Sequence, residues 1–213
     1  VDNRHQSYVR HSFEEITLQR VYQIVAGYED ANDCDKLRDD TILKMSVGRL
    51  PDTGAPLASQ PTMTRFENTP RAKDLYKIAK VFVDNFIASY PAAPPVIIID
   101  CDDTNSNTHG GQQLSLFNDY YGEYCYMPLH IYEGLSGKLI TTILKPGRRS
   151  KSVNVYGILK RLIAYLRESW KNTVIVVRGD SHFCSKQLMD WSYDKVNVHF
   201  ITGLAGNRAL IAQ

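Results

Sequence analysis

Two apolar runs in this chain end in aspartate, and a carboxylate at the tip of a buried strand is well placed to do chemistry. The first run, Val96-Ile97-Ile98-Ile99, leads into Asp100-Cys101-Asp102-Asp103-Thr104, and the second, Thr173 to Val177, leads into Arg178-Gly179-Asp180. An unbroken β-branched run fits a strand buried on both faces. The carboxyl edge of an α/β sheet is where ligands bind, and a strand holds a side chain rigidly there. By the two-residue period, Asp100 and Asp102 share one face and Asp103 points the other way. If the two strands are neighbours, Asp180 stands beside the first group. Carboxylates gathered so closely repel unless a cation or a shared proton compensates. Oxygen donors of this kind suit Mg²⁺ or Mn²⁺, which take few protein carboxylates and leave positions for substrate phosphate. Aspartate is also a common turn former, so capping is the competing reading. An EF-hand is excluded because its glycine position would hold Asn105 or Thr108.

Other residue groups carry weaker signals. His182 follows Asp180 by two positions, close enough to touch a metal or phosphate, although an exposed loop histidine is the plainer reading. Lys145, Arg148, Arg149 and Lys151 cluster about a Pro-Gly turn, where they can neutralise backbone phosphates or simply remain solvated. Tyr120, Tyr121, Tyr124 and Tyr126 can stack on bases or pack across a sheet. Asp33, Asp35, Asp39 and Asp40 read as helix caps rather than a metal cluster. Cys34, Cys101, Cys125 and Cys184 lie far apart without zinc-type spacing and read as buried free thiols.

These residues need elements to position them. Ser12 followed by Glu15 is a capping box, and Leu18, Val21, Tyr22 and Val25 recur at helical spacing until Gly27. Glu29 to Asp40 suits short helices and turns, and Pro51 to Pro61 is a loop or boundary. Thr69-Pro70 opens a helix carrying Leu75, Ile78, Ala79, Phe82, Val83 and Phe86, which ends near Tyr90. From Val96 the period changes. Tyr124 to Tyr132 and Lys138 to Leu144 read as a hairpin about Gly134-Leu135-Ser136-Gly137. Ser152 to Trp170 is a long amphipathic helix, followed by the second aspartate-tipped strand, a helix from Ser185 to Trp191 and a strand from Val198 to Thr202. The order predicts a mainly helical region over 1–92 and an α/β core over 93–213, with a mixed sheet of three antiparallel strands followed by strand–helix alternation.

The 213 residues suffice for a core without covalent staples. Hydrophobic residues at 43% and charged residues at 23% exclude disorder and low complexity. No apolar run reaches membrane-spanning length and no leader pattern is present, so a cytoplasmic location without membrane association is expected. A formal net charge of +2 falls short of the strongly basic balance of a free-standing nucleic-acid binder and decides nothing about DNA.

Taken in order, Ala58-Ser59-Gln60-Pro61-Thr62, Arg65-Phe66-Glu67-Asn68, VIIIDCDDT, His109-Gly110-Gly111-Gln112, YYGEYCYMPL and RGDSHF resemble the DDE transposases of bacterial insertion sequences, in the branch named for insertion sequence thirteen-eighty. The resemblance runs from Ser12 to Asn207. It implies a ribonuclease-H-like core in which two divalent metals, Mg²⁺ or Mn²⁺, are held by two aspartates and a glutamate and act on DNA phosphodiesters. Carried over by position, the first acid falls on Asp100 or Asp102 and the second on Asp180, as metal ligands and catalytic groups; Arg148, Arg149 and Lys151 are the candidate DNA contacts by their charge and place in the turn. The implied partners are insertion-sequence terminal repeats and target DNA, with homo-oligomerisation of the full-length protein, in the bacterial cytoplasm near the nucleoid. The implied glutamate, on a helix after the last core strand, has no counterpart before Gln213, and Glu168 precedes Asp180 and is out of order. A piece lacking that acid is expected to lack full strand-transfer activity.

Two alternatives remain. VIIIDCDDT also matches a haloacid-dehalogenase-like phosphohydrolase, with Asp100 as nucleophile and Asp102 as general acid, but antiparallel strands after Asp103 disagree with that fold's βαβ alternation. A non-catalytic DNA-binding remnant of a transposase is the other.

Overall fold

The computed structural model describes residues 2, 4–148 and 155–204. It divides into two compact units, Val1–Leu75 and Tyr76–Gln213.

In the first unit, α1 spans Phe13–Val25 and starts where Ser12 Oγ accepts the Glu15 N–H at 3.0 Å. Its buried face differs from the apolar stripe read in the sequence. Ile16, Gln19 and Gln23 are buried, whereas Leu18, Val21, Tyr22 and Val25 are exposed. The reason is polar. Gln19 donates to the Ala58 carbonyl at 3.0 Å and accepts the Ala58 N–H at 2.9 Å, satisfying an isolated piece of backbone as a strand would. Cys34 Sγ donates to Gln23 Oε1 at 3.3 Å. The acidic stretch forms caps and turns: Asp30 caps a 3-10 turn at Ala31–Asp35, and Asp40 caps α2, Thr41–Ser46. A helix not foreseen in the sequence, α3, covers Gln60–Glu67 at the end of the proline-rich loop, with Pro61 in its first turn where the missing N–H costs nothing. Ile16, Cys34, Ala58 and Met63 form this unit's core.

The division falls within α4, Ala72–Ala88. Among the described residues, eight strands and two further α-helices follow. β1 is Val96–Asp103, β2 Ser106–Asn107, β3 Leu116–Asn118, β4 Glu123–Tyr126, β5 Leu129–Glu133 and β6 Leu139–Ile143. After them come α5 (Val155–Ser169), β7 (Val174–Gly179), α6 (Lys186–Tyr193) and β8 (Val198–Thr202). The main sheet has the order β6-β5-β1-β7-β8, with β1, β5 and β6 antiparallel and β1, β7 and β8 parallel, so it is the expected mixed sheet. The run expected from Tyr124 to Tyr132 is two strands, because Pro128 has no N–H to continue a ladder. β2, β4 and β3 form a separate small sheet inserted after β1.

Ile97, Ile99 and Cys101 of β1 and Ile175 and Val177 of β7 pack against Val83 and Phe86 of α4, Leu159 and Leu166 of α5, and Leu188 of α6. Ile98, Asp100, Asp102, Val176 and Arg178 lie outside that cluster. β1 therefore alternates in burial instead of being buried on both faces. Cys34, Cys101 and Cys125 are buried free thiols and Cys184 is half-buried and free.

Candidate active site

β1 and β7 are parallel neighbours in a register that sets Asp100 beside Arg178 and Cys101 beside Gly179. The next residue along each strand is Asp102 and Asp180, so the topology carries both acidic tips to one edge. There they line a cleft of about 950 Å³ together with Asp103, Lys145, Arg148 and His182. Asp180 is the cap of a 3-10 turn at Ser181–Phe183, with its Oδ1 accepting the His182 N–H at 3.3 Å.

Asp103 is the centre of the charge arrangement. Lys145 Nζ lies 2.5 Å from its Oδ1 and 2.6 Å from its Oδ2, with the two side chains 11% and 9% exposed. His182 Nε2 lies 3.1 Å from Asp103 Oδ2, while its Nδ1 contacts Asp180 Oδ1. One imidazole thus spans carboxylates from the two strands. Asp103, the last residue of β1 and paired with Leu129, lines the cleft as Asp102 does, so the alternation that set it on the other face did not keep it from the site. Lys145, read as a phosphate contact or a solvated loop residue, is its counter-ion. The length of the acidic run beyond Ile99 was the available signal.

Asp100 is placed differently. It accepts from Arg178 Nε and Nη2, each at 2.5 Å, in a two-pronged pair, and it does not line the cleft. Gly134 backs this pair: a Cβ there would lie 2.6 Å from Asp100 Oδ2 and 2.9 Å from Arg178 Nη2. Between the acids, burial pushes the Cys101 thiol up to about 12, with Asp100 and Asp103 adding to the effect, so it stays protonated and is no nucleophile. Arg148 is exposed at the cleft, and Arg149 and Lys151 lie outside the described residues.

The donor set consists of hard carboxylate oxygens with nearby cations. Such donors fit a divalent ion of the magnesium or manganese type, which binds through one or two carboxylates and completes its shell with phosphate and water. Among the described residues no three acidic, histidine or cysteine side chains enclose an ion by themselves. Asp102, Asp103 and Asp180 are the residues that would hold one, and substrate oxygens would complete the shell.

Tyr120 and Tyr121 also reach the cleft, from the β3–β4 turn, and Asn118 joins them there. Tyr124 is exposed and makes an edge contact with Phe117, centroids 5.4 Å apart, while the Tyr126 hydroxyl donates to the Gln113 carbonyl. Glu168 is exposed on α5 and does not line the cleft.

A comparison with curated proteins gave no match. Solved structures similar to this chain include a piggyBac transposase synaptic complex with hairpin DNA, at 12% identity and a TM-score of 0.47 over 97% of this chain and 46% of that one. A Drosophila P element transposase strand transfer complex is 9% identical with a TM-score of 0.32, over 86% of this chain and 44% of that one. A Mos1 transposase paired-end complex with the left transposon end is 11% identical with a TM-score of 0.32, over 94% of this chain and 61% of that one. The chain spans less than half the length of the first two. The family model of the transposase DDE domain, group 1, matches residues 1–213. With its acid-tipped parallel strands set at one cleft and that match over its whole length, this chain belongs to the DDE-domain transposases of group 1.

Proposed function

We propose that the cleft at the ends of β1 and β7 binds a DNA phosphodiester and, with divalent metal, cleaves and transfers strands at insertion-sequence ends. The observation that carries this reading is the meeting of Asp102, Asp103 and Asp180 in one cleft, with Arg148 beside them. The strand order β6-β5-β1-β7-β8 supports a ribonuclease-H-like core, and its antiparallel β1–β5–β6 half argues against the dehalogenase alternative. Asp100, tied to Arg178, acts in this reading as a positioning residue that holds β1 against β7.

Two Mg²⁺ or Mn²⁺ ions, when bound, supply the activated water or 3′-hydroxyl and the stabilisation of the leaving oxygen. Asp102, Asp103 and Asp180 supply oxygen ligands. Lys145 neutralises Asp103, His182 contacts the same carboxylate, and Arg148 offers its guanidinium to the phosphate. The helix-borne glutamate expected of the family is not among the described residues lining the cleft. Terminal-repeat and target DNA as substrates, bacterial origin and homo-oligomerisation of the whole protein belong to the same proposal.

Calorimetric titration with Mn²⁺ tests it. Asp180→Asn and Asp102→Asn should each weaken binding by about tenfold or more, whereas a matched Asp190→Asn control on α6 should not. Unchanged binding in Asp180→Asn overturns the assignment.

A further inference from the structure

The aromatic corner of the cleft has no place in metal or phosphate chemistry. Tyr120 is 88% exposed and Tyr121 43% exposed, with ring centroids 4.9 Å apart in an edge-to-face pair at 88°. Exposure alone is common on this chain, since Tyr193 is 92% exposed; what distinguishes this pair is its place at the cleft. Their turn is held firmly. Asn118 Oδ1 accepts the N–H groups of Tyr120 at 2.9 Å and Tyr121 at 3.3 Å, and the turn closes with Gly122 N–H donating to the Asn118 carbonyl at 2.8 Å.

The same asparagine ties the turn to the cation loop. Asn118 Nδ2 donates to the Gly147 carbonyl at 2.7 Å, between Lys145 and Arg148. Met127 N–H donates to the Lys145 carbonyl at 2.9 Å. A Cβ on Gly147 would collide with the backbone carbonyls of Cys125 and Leu116, so only glycine lets the loop lie this close to the small sheet. Tyrosines and cations are therefore one preorganised unit facing the acids, which lowers the ordering cost of a ligand spanning them.

We propose that Tyr120, supported by Tyr121, is a stacking platform for an unpaired nucleobase whose neighbouring phosphate lies at Arg148 and the acidic edge. The inference rests on the reading of the cleft as a DNA site and names the form of DNA it takes, a single-stranded or frayed end. A base paired inside a duplex has both faces covered by its neighbours, so a ring open to solvent selects an unpaired one. Stacking on an aromatic ring is sequence-tolerant, so the platform recognises the unpaired state and not a particular base.

The test uses the whole chain and a short single-stranded oligonucleotide carrying one 2-aminopurine, at fixed salt. Wild type should quench the fluorophore on binding, Tyr120→Ala should bind about tenfold more weakly without the quench, and Tyr120→Phe should match wild type. The same oligonucleotide annealed into a blunt duplex should bind both proteins equally. Because Tyr120 is exposed, circular dichroism melts of the two variants should coincide with wild type. Equal affinity and equal quench in Tyr120→Ala, or an equal loss on blunt duplex, overturns the stacking platform and leaves the DNA-site reading standing. A wild-type chain that binds neither single strand nor duplex overturns both.

Discussion

Glu133 is 1% exposed, yet its carboxylate is surrounded by donors rather than cations. The N–H groups of Ile98 and Leu135 approach Oε1 at 3.1 Å each, and the Ser136 N–H and hydroxyl approach Oε2 at 2.7 and 2.6 Å. Burial pushes the carboxyl up, but the bonds from Ser136, Ile98 and Leu135 outweigh it and hold the group below its ordinary value. The side chain thereby closes the β5–β6 turn and fixes the entry of β1, the strand that ends in the site. A carboxyl lowered on folding stabilises the fold above its unfolded pKa of about 4.3, and the contribution is lost as pH falls through the folded value. Glu133→Gln should cost about 2 kcal/mol in urea unfolding near pH 7, because an amide nitrogen then faces donors. The gap between variant and wild type should narrow as pH is taken down from neutrality through the carboxyl's lowered value, because the wild-type group then protonates too. A gap that stays constant down to acid unfolding would contradict this account.

Between residue and site stands the turn after β7. A Cβ on Gly179 would lie 2.8 Å from Phe183 Cδ2 and 3.1 Å from its Cγ, and Phe183 is buried in the main core. Gly179→Ala must therefore move the ring that anchors the 3-10 turn carrying Asp180 and His182. The expected result is a loss of about 1–3 kcal/mol in thermal or urea unfolding, together with weaker Mn²⁺ binding in the calorimeter. The strands tipped by Asp102 and Asp180 and the helix α5 were legible in the sequence because each is a long apolar pattern with a clear stop. The face of α1 was not, since Gln19 and Gln23 are buried by hydrogen bonds that no hydrophobic pattern encodes. The small sheet was not either: its strands are two to four residues long, too short for periodicity to register. Asp103 was missed because strand parity says which face a residue takes, not whether a cleft at the strand's end is reached from both faces.

At the scale of the whole molecule, the two units differ in how much they bury. Among the described residues, the cluster of the second unit joins 18 buried side chains, from Val83 to Val198, whereas that of the first joins four. The first unit also buries Gln19, Gln23 and Lys44, the last paired with Asp39 at 3.1 Å, and such groups define geometry more than they stabilise it. A domain of that size with so small a core supplies at most about 3–5 kcal/mol. The part of α4 that packs into the larger core, Val83 and Phe86, lies after the division at Leu75. A chain of residues 70–213, which keeps α4 whole, should therefore unfold cooperatively with sigmoidal urea and thermal transitions. A chain of residues 1–69 should melt broadly, with less than about 3 kcal/mol of stability. Mn²⁺ should bind the 70–213 chain as it binds the parent, because every carboxylate lining the cleft lies within it. A 70–213 chain that melts without cooperativity would show that the larger core does not stand by itself, and a cooperative chain that fails to bind Mn²⁺ would place the metal ligands elsewhere.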